Sequence, residues 1–417
     1  MRTSKSSRDA SEWPLWQTVV SFIFVTASLY AFPVTSALTP ACPTAFWNFG
    51  DSLTDTGSVV NAFPHCHQCD PERSPYGDSF FGRPAKRFSN GRVVPDFFSI
   101  PGVFQASSSA VYPGWGFRLQ VWSELRQCRD YRIQRYYAKS TLSAIQISEF
   151  VRLKTSAASE KSQLFCAQFL PYLPFDDSYS KGLYTIEIGG NDILNAVLLK
   201  NMTAAQITGQ VIPASMANIA KGIDTLYNNG ARQFLFFNLP NAGCSTIVVT
   251  LLGSILPTDA SGCVIPINLL DQAYNAALNG TIASARTQYP AASFTTFNYY
   301  AANEEILNDP TQYGFNPNLT KTACCGAPGF GNLNYNPLVT CGKTGSTKCS
   351  NPEEYVNWDG IHFTEAFYRV ISKFALNGQF TNTGFNYTAN CFLNFNRFGP
   401  DATFDSTYPA TCKVTFV

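Results

Sequence analysis

The sequence predicts an α/β fold in which helices cover both faces of a parallel central sheet, and three observations point to it. Short β-branched or aromatic runs alternate with segments of helical spacing along most of the chain. The side chains best suited to chemistry fall just after predicted strand ends or at a helix start, where open parallel sheets place their sites. No internal repeat or low-complexity linker divides the 417 residues, and a large α/β sheet can be one domain of this size.

Ala45–Phe49 reads as the first strand and ends at Gly50-Asp51-Ser52. Leu183–Ile188 is the second, followed at once by Gly189-Gly190-Asn191-Asp192. Gln233–Leu239 is the third, stopped by Pro240, and Ser293–Tyr299 the fourth. Between them Ile219, Ile223, Leu226 and Tyr227 fall at helical spacing in Pro213–Asn228, with Asn229-Gly230 as the stop signal. Leu269–Gln288 and Thr364–Leu376 are two further helices. A single catalytic domain is expected over 41–379, followed by a Phe- and Asn-rich tail over 380–417 that Cys391 and Cys412 are available to pin.

The N-terminus carries Arg2, Lys5 and Arg8, an apolar run from Leu15 to Phe32, and small residues at Thr35-Ser-Ala37. That is the pattern of a secretory signal over 1–37 with cleavage near Ala37. A retained anchor is the alternative, but Thr, Ser and Pro33 interrupt the run. No other stretch has enough consecutive apolar residues to span a bilayer, so a soluble, secreted protein without stable membrane insertion is expected. With Lys+Arg 29 against Asp+Glu 28 and no basic run, the composition argues against a nucleic-acid partner. Sequons at Asn201, Asn279, Asn318 and Asn386 are potential N-glycan sites, although such tripeptides also arise by chance.

Passage through an oxidising compartment makes the 13 cysteines disulfide candidates. His65-Cys66-His67-Gln68-Cys69 superficially resembles a metal knot, but a second ligand pair at matching spacing is absent. A disulfide is the expected reading there, with no metal and no cofactor. Cys341 with Cys349, and Cys324 or Cys325 with a distant partner, are candidate bridges whose connectivity sequence leaves open.

The chemistry begins at Phe46-Trp-Asn-Phe-Gly50-Asp51-Ser52-Leu53-Thr-Asp55 and is completed far away by Asp359-Gly-Ile-His362. A serine hydroxyl is a weak nucleophile until an imidazole takes its proton, and the imidazole needs a carboxylate to fix its tautomer. The chain has three histidines, of which His65 and His67 share the cysteine-rich loop, so His362 is the natural base. The Gly-x-Ser-x-Gly elbow is absent. Asp51 and Asp55 are expected to bond backbone amides of the nucleophile loop, and Glu187 and Asp192 to play similar supporting parts.

Four ordered blocks carry a family resemblance: the Ser52 stretch; Phe81-Gly-Arg-Pro-Ala-Lys-Arg87 through Gly91-Arg92-Val-Val-Pro-Asp96; Ile186-Glu-Ile-Gly189-Gly190-Asn191-Asp192; and Cys324-Cys325-Gly with Asn334 to Cys341 ahead of Trp358-Asp359-Gly-Ile-His362. In this order they resemble a plant-type GDSL esterase/lipase of the SGNH hydrolase superfamily. The resemblance implies a flavodoxin-like three-layer α/β/α sandwich and a serine esterase acting through an acyl-enzyme. Ser52 would be the nucleophile, His362 the base and Asp359 its orienting carboxylate, with the Ser52 amide and the Asn191 side chain in the oxyanion hole. The ester substrate would be a small metabolite, a lipid or an acylated glycan.

One block of that family is missing. Its second oxyanion donor is a glycine amide in a segment like Gly-Val-Asn-Phe-Ala-Ser-Gly-Gly, whereas here about 101–146 reads unlike the family, as in Trp122-Ser-Glu-Leu-Arg-Gln-Cys128. Back-translated and read one base later, codon choices exist that give Gly-Val-Asn-Phe-Ala-Ser-Ala-Gly-Thr-Thr-Gly-Tyr-Asn-Val. The expectation is therefore an out-of-frame translation over part of 101–146, and removing Cys128 leaves an even number of cysteines. A divergent insertion is the other reading. The functional alternative is a catalytically impaired secreted glycan-associated protein, or a frameshifted product, that lacks the glycine donor. Sequencing the transcript across this region tests the expectation: a frame break should appear, and an uninterrupted frame giving these residues overturns it.

Overall fold

The computed structural model describes residues 40–57, 70–98, 141–162, 174 and 176–391. The expected signal over 1–37, the 65–69 cluster, most of the atypical stretch, Cys412 and the tail beyond 391 lie outside the described residues.

Four parallel strands lie side by side in chain order: β1 (Ala45–Gly50), β2 (Gly182–Glu187), β3 (Gln233–Phe237) and β4 (Ser293–Phe297). Successive side chains of a strand point to opposite faces, so two cores form. Trp47, Phe49, Tyr184, Ile186, Phe234 and Phe236 face one side, and Phe46, Leu183, Leu235, Phe237 and Phe297 face the other. On the first side pack α2 (Thr141–Ser162), α4 (Ile212–Asn228) and α5 (Ile265–Gln288), through Phe150, Ile223 and Leu278 among others. On the second pack α1 (Val94–Phe98), α6 (Tyr299–Asn308) and α7 (Glu365–Leu376), through Phe98, Ile306 and Ile371. The result is the three-layer α/β/α arrangement expected from sequence. Each such side chain, fully buried, contributes ~1.5–3 kcal/mol relative to exposure.

Boundaries moved where hydrogen bonding decided them. The third strand ends at Phe237 rather than Leu239: Asn238 N–H still reaches the Phe297 carbonyl of β4 at 3.2 Å, but Leu239 N–H turns to Asn275 Oδ1 at 2.8 Å. Helix α5 starts at Ile265 rather than Leu269, with a proline in its first turn where no intrahelical N–H bond is lost. Thr364 is the N-cap of α7, its side chain accepting from Phe367 N–H.

The disulfides correct the expected pairing. Cys341 bonds Cys325, and Cys349 bonds Cys324. The cause is register: a short antiparallel pairing sets Cys325 opposite Lys348, which brings Cys349 beside Cys324, and Cys349 N–H donates to the Cys324 carbonyl at 2.7 Å. The partners of Cys324 and Cys325 are therefore local, 25 and 16 residues away. Cys391 is joined to Cys42, ahead of β1, and Cys244 to Cys263.

A buried ion pair fixes the approach to α7. Arg92 Nη2 lies 2.5 Å from Glu365 Oε1, and the Arg92 backbone N–H donates to Glu365 Oε2 at 3.0 Å. The guanidinium stacks over the Phe80 and Phe97 rings at 3.9 and 4.5 Å. Gly91 is required by this approach, since a Cβ there would fall 1.8 Å from Glu365 Oε2. Glu365→Ala, which strands the guanidinium, should cost about 3–5 kcal/mol in urea unfolding, and Arg92→Met with Glu365→Leu should cost less than that single change.

Candidate active site

Ser52 stands two residues beyond β1 in a turn stapled by its acidic neighbours. Asp51 Oδ1 accepts from Leu53 N–H at 3.0 Å and Asp55 Oδ1 from Gly57 N–H at 2.8 Å, the backbone contacts expected of them. From α2, the Gln146 amide donates to the Gly50 carbonyl at 2.8 Å and accepts from Gly50 N–H at 3.0 Å. The end of β1 is thereby held on the side away from β2.

The distant block closes onto this turn. His362 Nε2 lies 2.8 Å from Ser52 Oγ, and His362 Nδ1 lies 2.7 Å from Asp359 Oδ2. Asp359 and His362 sit on the loop leading into α7 rather than on the helix itself. Asp359 Oδ1 accepts the backbone N–H groups of Ile361 and His362 at 3.0 and 2.8 Å, so one carboxylate shapes the loop and faces the ring. Burial by itself would raise the Asp359 carboxyl, but the His362 charge, its ring hydrogen bond and these backbone bonds outweigh burial and hold it below its ordinary value. The Phe88 ring lies against the imidazole, 4.7 Å between centroids.

Sequence reading missed Tyr76. Its hydroxyl donates to Asp359 Oδ2 at 2.8 Å, on the same oxygen that faces the imidazole, and the residue is buried. It comes from the loop before Phe81, and no local pattern marks it.

Asn191 arrives from β2. The chain turns at Gly189, whose φ of 119° suits glycine and whose missing Cβ would lie 2.2 Å from Tyr274 ring atoms. Helix α3 (Gly190–Leu198) then begins, and Asn191 in its first turn is exposed. Asn191 Nδ2 donates to Asp51 Oδ2 at 3.3 Å, which links it to the nucleophile turn. The structure thus brings Ser52, Asn191, Asp359 and His362 to one place. Asp192 instead accepts from Ser215 Oγ at 3.3 Å. Glu187 departs from expectation: no backbone amide among the described residues reaches its carboxyl. Gly114 and Gly116, whose amides could in principle replace the glycine donor but are not expected to, lie outside the described residues.

A cleft opens beside Ser52 and Asn191, with apolar walls that include Leu239, Leu307, Val356 and Phe363. One wall, 239–243, is fastened by a polar stripe on α5. Asn275 Oδ1 accepts from Leu239 N–H, Asp271 Oδ2 from Ala242 N–H and Asn268 Oδ1 from Gly243 N–H, each at 2.8 Å. Burial pushes the Asp271 carboxyl well up, which the Ala242 bond only partly offsets. Among the described residues no group of His, Cys, Asp and Glu is arranged to hold a metal ion, and no helix is long and apolar enough to cross a membrane.

Similarity across the chain agrees with this geometry. A family model described as GDSL-like Lipase/Acylhydrolase matches residues 47–374, the span from β1 into α7. The chain belongs to the GDSL lipase/acylhydrolase family. It is 31% identical to a GDSL esterase/lipase of Arabidopsis thaliana, over 88% of this chain and 100% of the relative. A protein of the same plant named alpha-L-fucosidase 3 is 30% identical over 83% of this chain and 95% of its own, and a GDSL esterase/lipase of Medicago truncatula is 29% identical over 84% and 90%. Membership in the GDSL family makes the chain a carboxylic ester hydrolase by class.

In this GDSL protein Tyr76→Phe should lower kcat on a p-nitrophenyl ester by on the order of tenfold, the effect of losing one hydrogen bond to a charged group. The melting temperature should change little, and steady-state kinetics beside thermal unfolding checks both.

Proposed function

We propose that the protein is a secreted serine esterase/lipase that hydrolyses carboxylic esters through an acyl-enzyme. The observation that carries this reading is the line of hydrogen bonds from Ser52 Oγ through His362 to Asp359, 2.8 and 2.7 Å long, beside an apolar cleft. Nucleophile, base and orienting carboxylate are within reach of one another, as acyl transfer needs.

Ser52 Oγ attacks the ester carbonyl carbon while His362 Nε2 takes the hydroxyl proton. Asp359 keeps the remaining ring proton on Nδ1 and stabilises the imidazolium. The carbonyl oxygen, now negative, accepts from the Ser52 N–H and from Asn191 Nδ2. The tetrahedral species collapses, the alcohol leaves with the proton from His362, and an acyl-serine remains. Water activated by the same imidazole then releases the acid and restores Ser52. An alcohol in place of water would turn hydrolysis into acyl transfer. Glycosidases commonly set two carboxyl groups across the bond they break; here the imidazole is bonded to a serine, which favours ester chemistry over the activity in one relative's name.

The signal over 1–37, the catalytic domain over 41–379 and the tail over 380–417 belong to this proposal, as does an out-of-frame origin for part of 101–146. Four disulfides among the described residues support passage through an oxidising compartment. Asn201, Asn279 and Asn318 are exposed and Asn386 is half-buried, so the sequons are open to N-glycans to that extent. The substrate is an ester of a small metabolite, a lipid or an acylated glycan.

Labelling of the secreted chain with a fluorophosphonate tests the reading. The label should be taken up and lost in Ser52→Ala, and Asn191→Ala should lower kcat ~10²–10³-fold with little change in KM. Absence of label, restored when the family-like frame is built over 101–146, would mean that this chain is the impaired product.

A further inference from the structure

Behind the nucleophile turn two carboxyl groups meet. The β1–β2 register sets Gly50 opposite Glu187, and Asp51 N–H donates to the Glu187 carbonyl at 3.2 Å. Both side chains are buried, with 5% of Asp51 and 1% of Glu187 exposed. Asp51 is supplied with donors, Leu53 N–H on Oδ1 and Asn191 Nδ2 on Oδ2. Glu187 is not: neither of its oxygens receives a hydrogen from any nitrogen or hydroxyl among the described residues, and its carboxyl lies against that of Asp51. Two ionised carboxylates are both acceptors only, so a bond between them requires a proton on one.

Among the described residues neither carboxyl has a lysine or arginine ion-pair partner, and titratable groups from other elements face the pair. They are His362 from the loop before α7, Tyr274 from α5, Tyr299 from α6 and Tyr368 from α7. The phenols are held neutral, each pushed up first of all by burial. His362 is already bonded to Asp359, so a second negative charge on the pair would find no ion-pair partner of its own among the described residues.

We propose that Glu187 is a positioning residue of the active site: it stays a carboxylic acid, donates its proton to Asp51, and the singly charged pair holds the Asn191 amide. Burial raises both carboxyls, and the Asp51 charge beside Glu187 raises that group further, so Glu187 keeps the proton. Asp51, as an acceptor-only carboxylate, selects the NH₂ end of Asn191 over its oxygen. One amide hydrogen is spent on Asp51 and the other is left for the oxyanion. The fixed amide is a preorganised donor, which is where oxyanion stabilisation gains its strength.

This inference rests on the serine esterase reading, so one of its tests does not depend on turnover. The infrared spectrum of the wild-type protein at pH 8 should contain a protonated-carboxyl band that Glu187→Gln removes. Unchanged carboxylic-acid absorption between the two overturns the proposal, whether or not the chain reacts with a fluorophosphonate. In kinetics, Glu187→Ala should lower kcat ~10-fold or more with KM nearly unchanged, and Glu187→Gln, whose amide can still donate to Asp51, should recover most of that loss. A glutamine variant as poor as the alanine variant also overturns it. Failure of wild-type labelling alone would instead count against the esterase reading.

Discussion

The parallel ladder between β1 and β2 is the constraint on which the site depends. It pairs Ala45 with Gly182 at one end and Gly50 with Glu187 at the other, so both strands finish at the same level. Everything placed immediately after them inherits that alignment: Ser52 two residues beyond one end, Asn191 four residues beyond the other. A slip of one residue would send Trp47 and Phe49 to the opposite core and remove Asp51 from Asn191. Ring stacking strengthens the register, with Trp47 and Phe49 each lying nearly parallel to Tyr184 on the same face.

His362 reaches this alignment from the other end of the chain through polar contacts as well as the apolar packing of α7. Arg92 and Asn90 hold the start of α7, Asn90 Oδ1 accepting from Glu365 N–H at 2.8 Å, while Tyr76 holds Asp359. Buried ions and hydroxyls of this kind add less net stability than apolar packing of equal volume would, but they tolerate only narrow geometry. That is the property a serine–imidazole contact needs. The segment after the nucleophile therefore works as a bracket: Tyr76, Asn90 and Arg92 all lie within residues 70–98 and all grip the His362 region.

The strands were legible because aromatic runs such as Phe234-Leu-Phe-Phe237 fill both faces of a buried sheet and admit few other readings. Their last residues were not, since Leu239 leaves the ladder for a bond to Asn275 of α5 that no local pattern announces. The meeting of Ser52, His362 and Asp359 was legible for a chemical reason, a single histidine outside the cysteine-rich loop. Tyr76 stands 283 residues from Asp359 and carries no spacing signal. The disulfides of Cys324 and Cys325 depended on a two-residue ladder too short to recognise. The pairing of Glu187 with Asp51 depended on strand register, which sequence alone does not give.

The Cys42–Cys391 bond has a consequence for how the protein endures its surroundings. It joins residues 349 apart, so the described domain is covalently a closed ring with every strand and every site residue inside it. Exposed loops are the preferred sites of proteolytic nicking. A single cut in such a loop would leave one molecule, with the Ser52 half and the His362 half still tied together at their far ends. The two halves would part only after reduction, so chain cleavage and loss of the assembled triad become separate events.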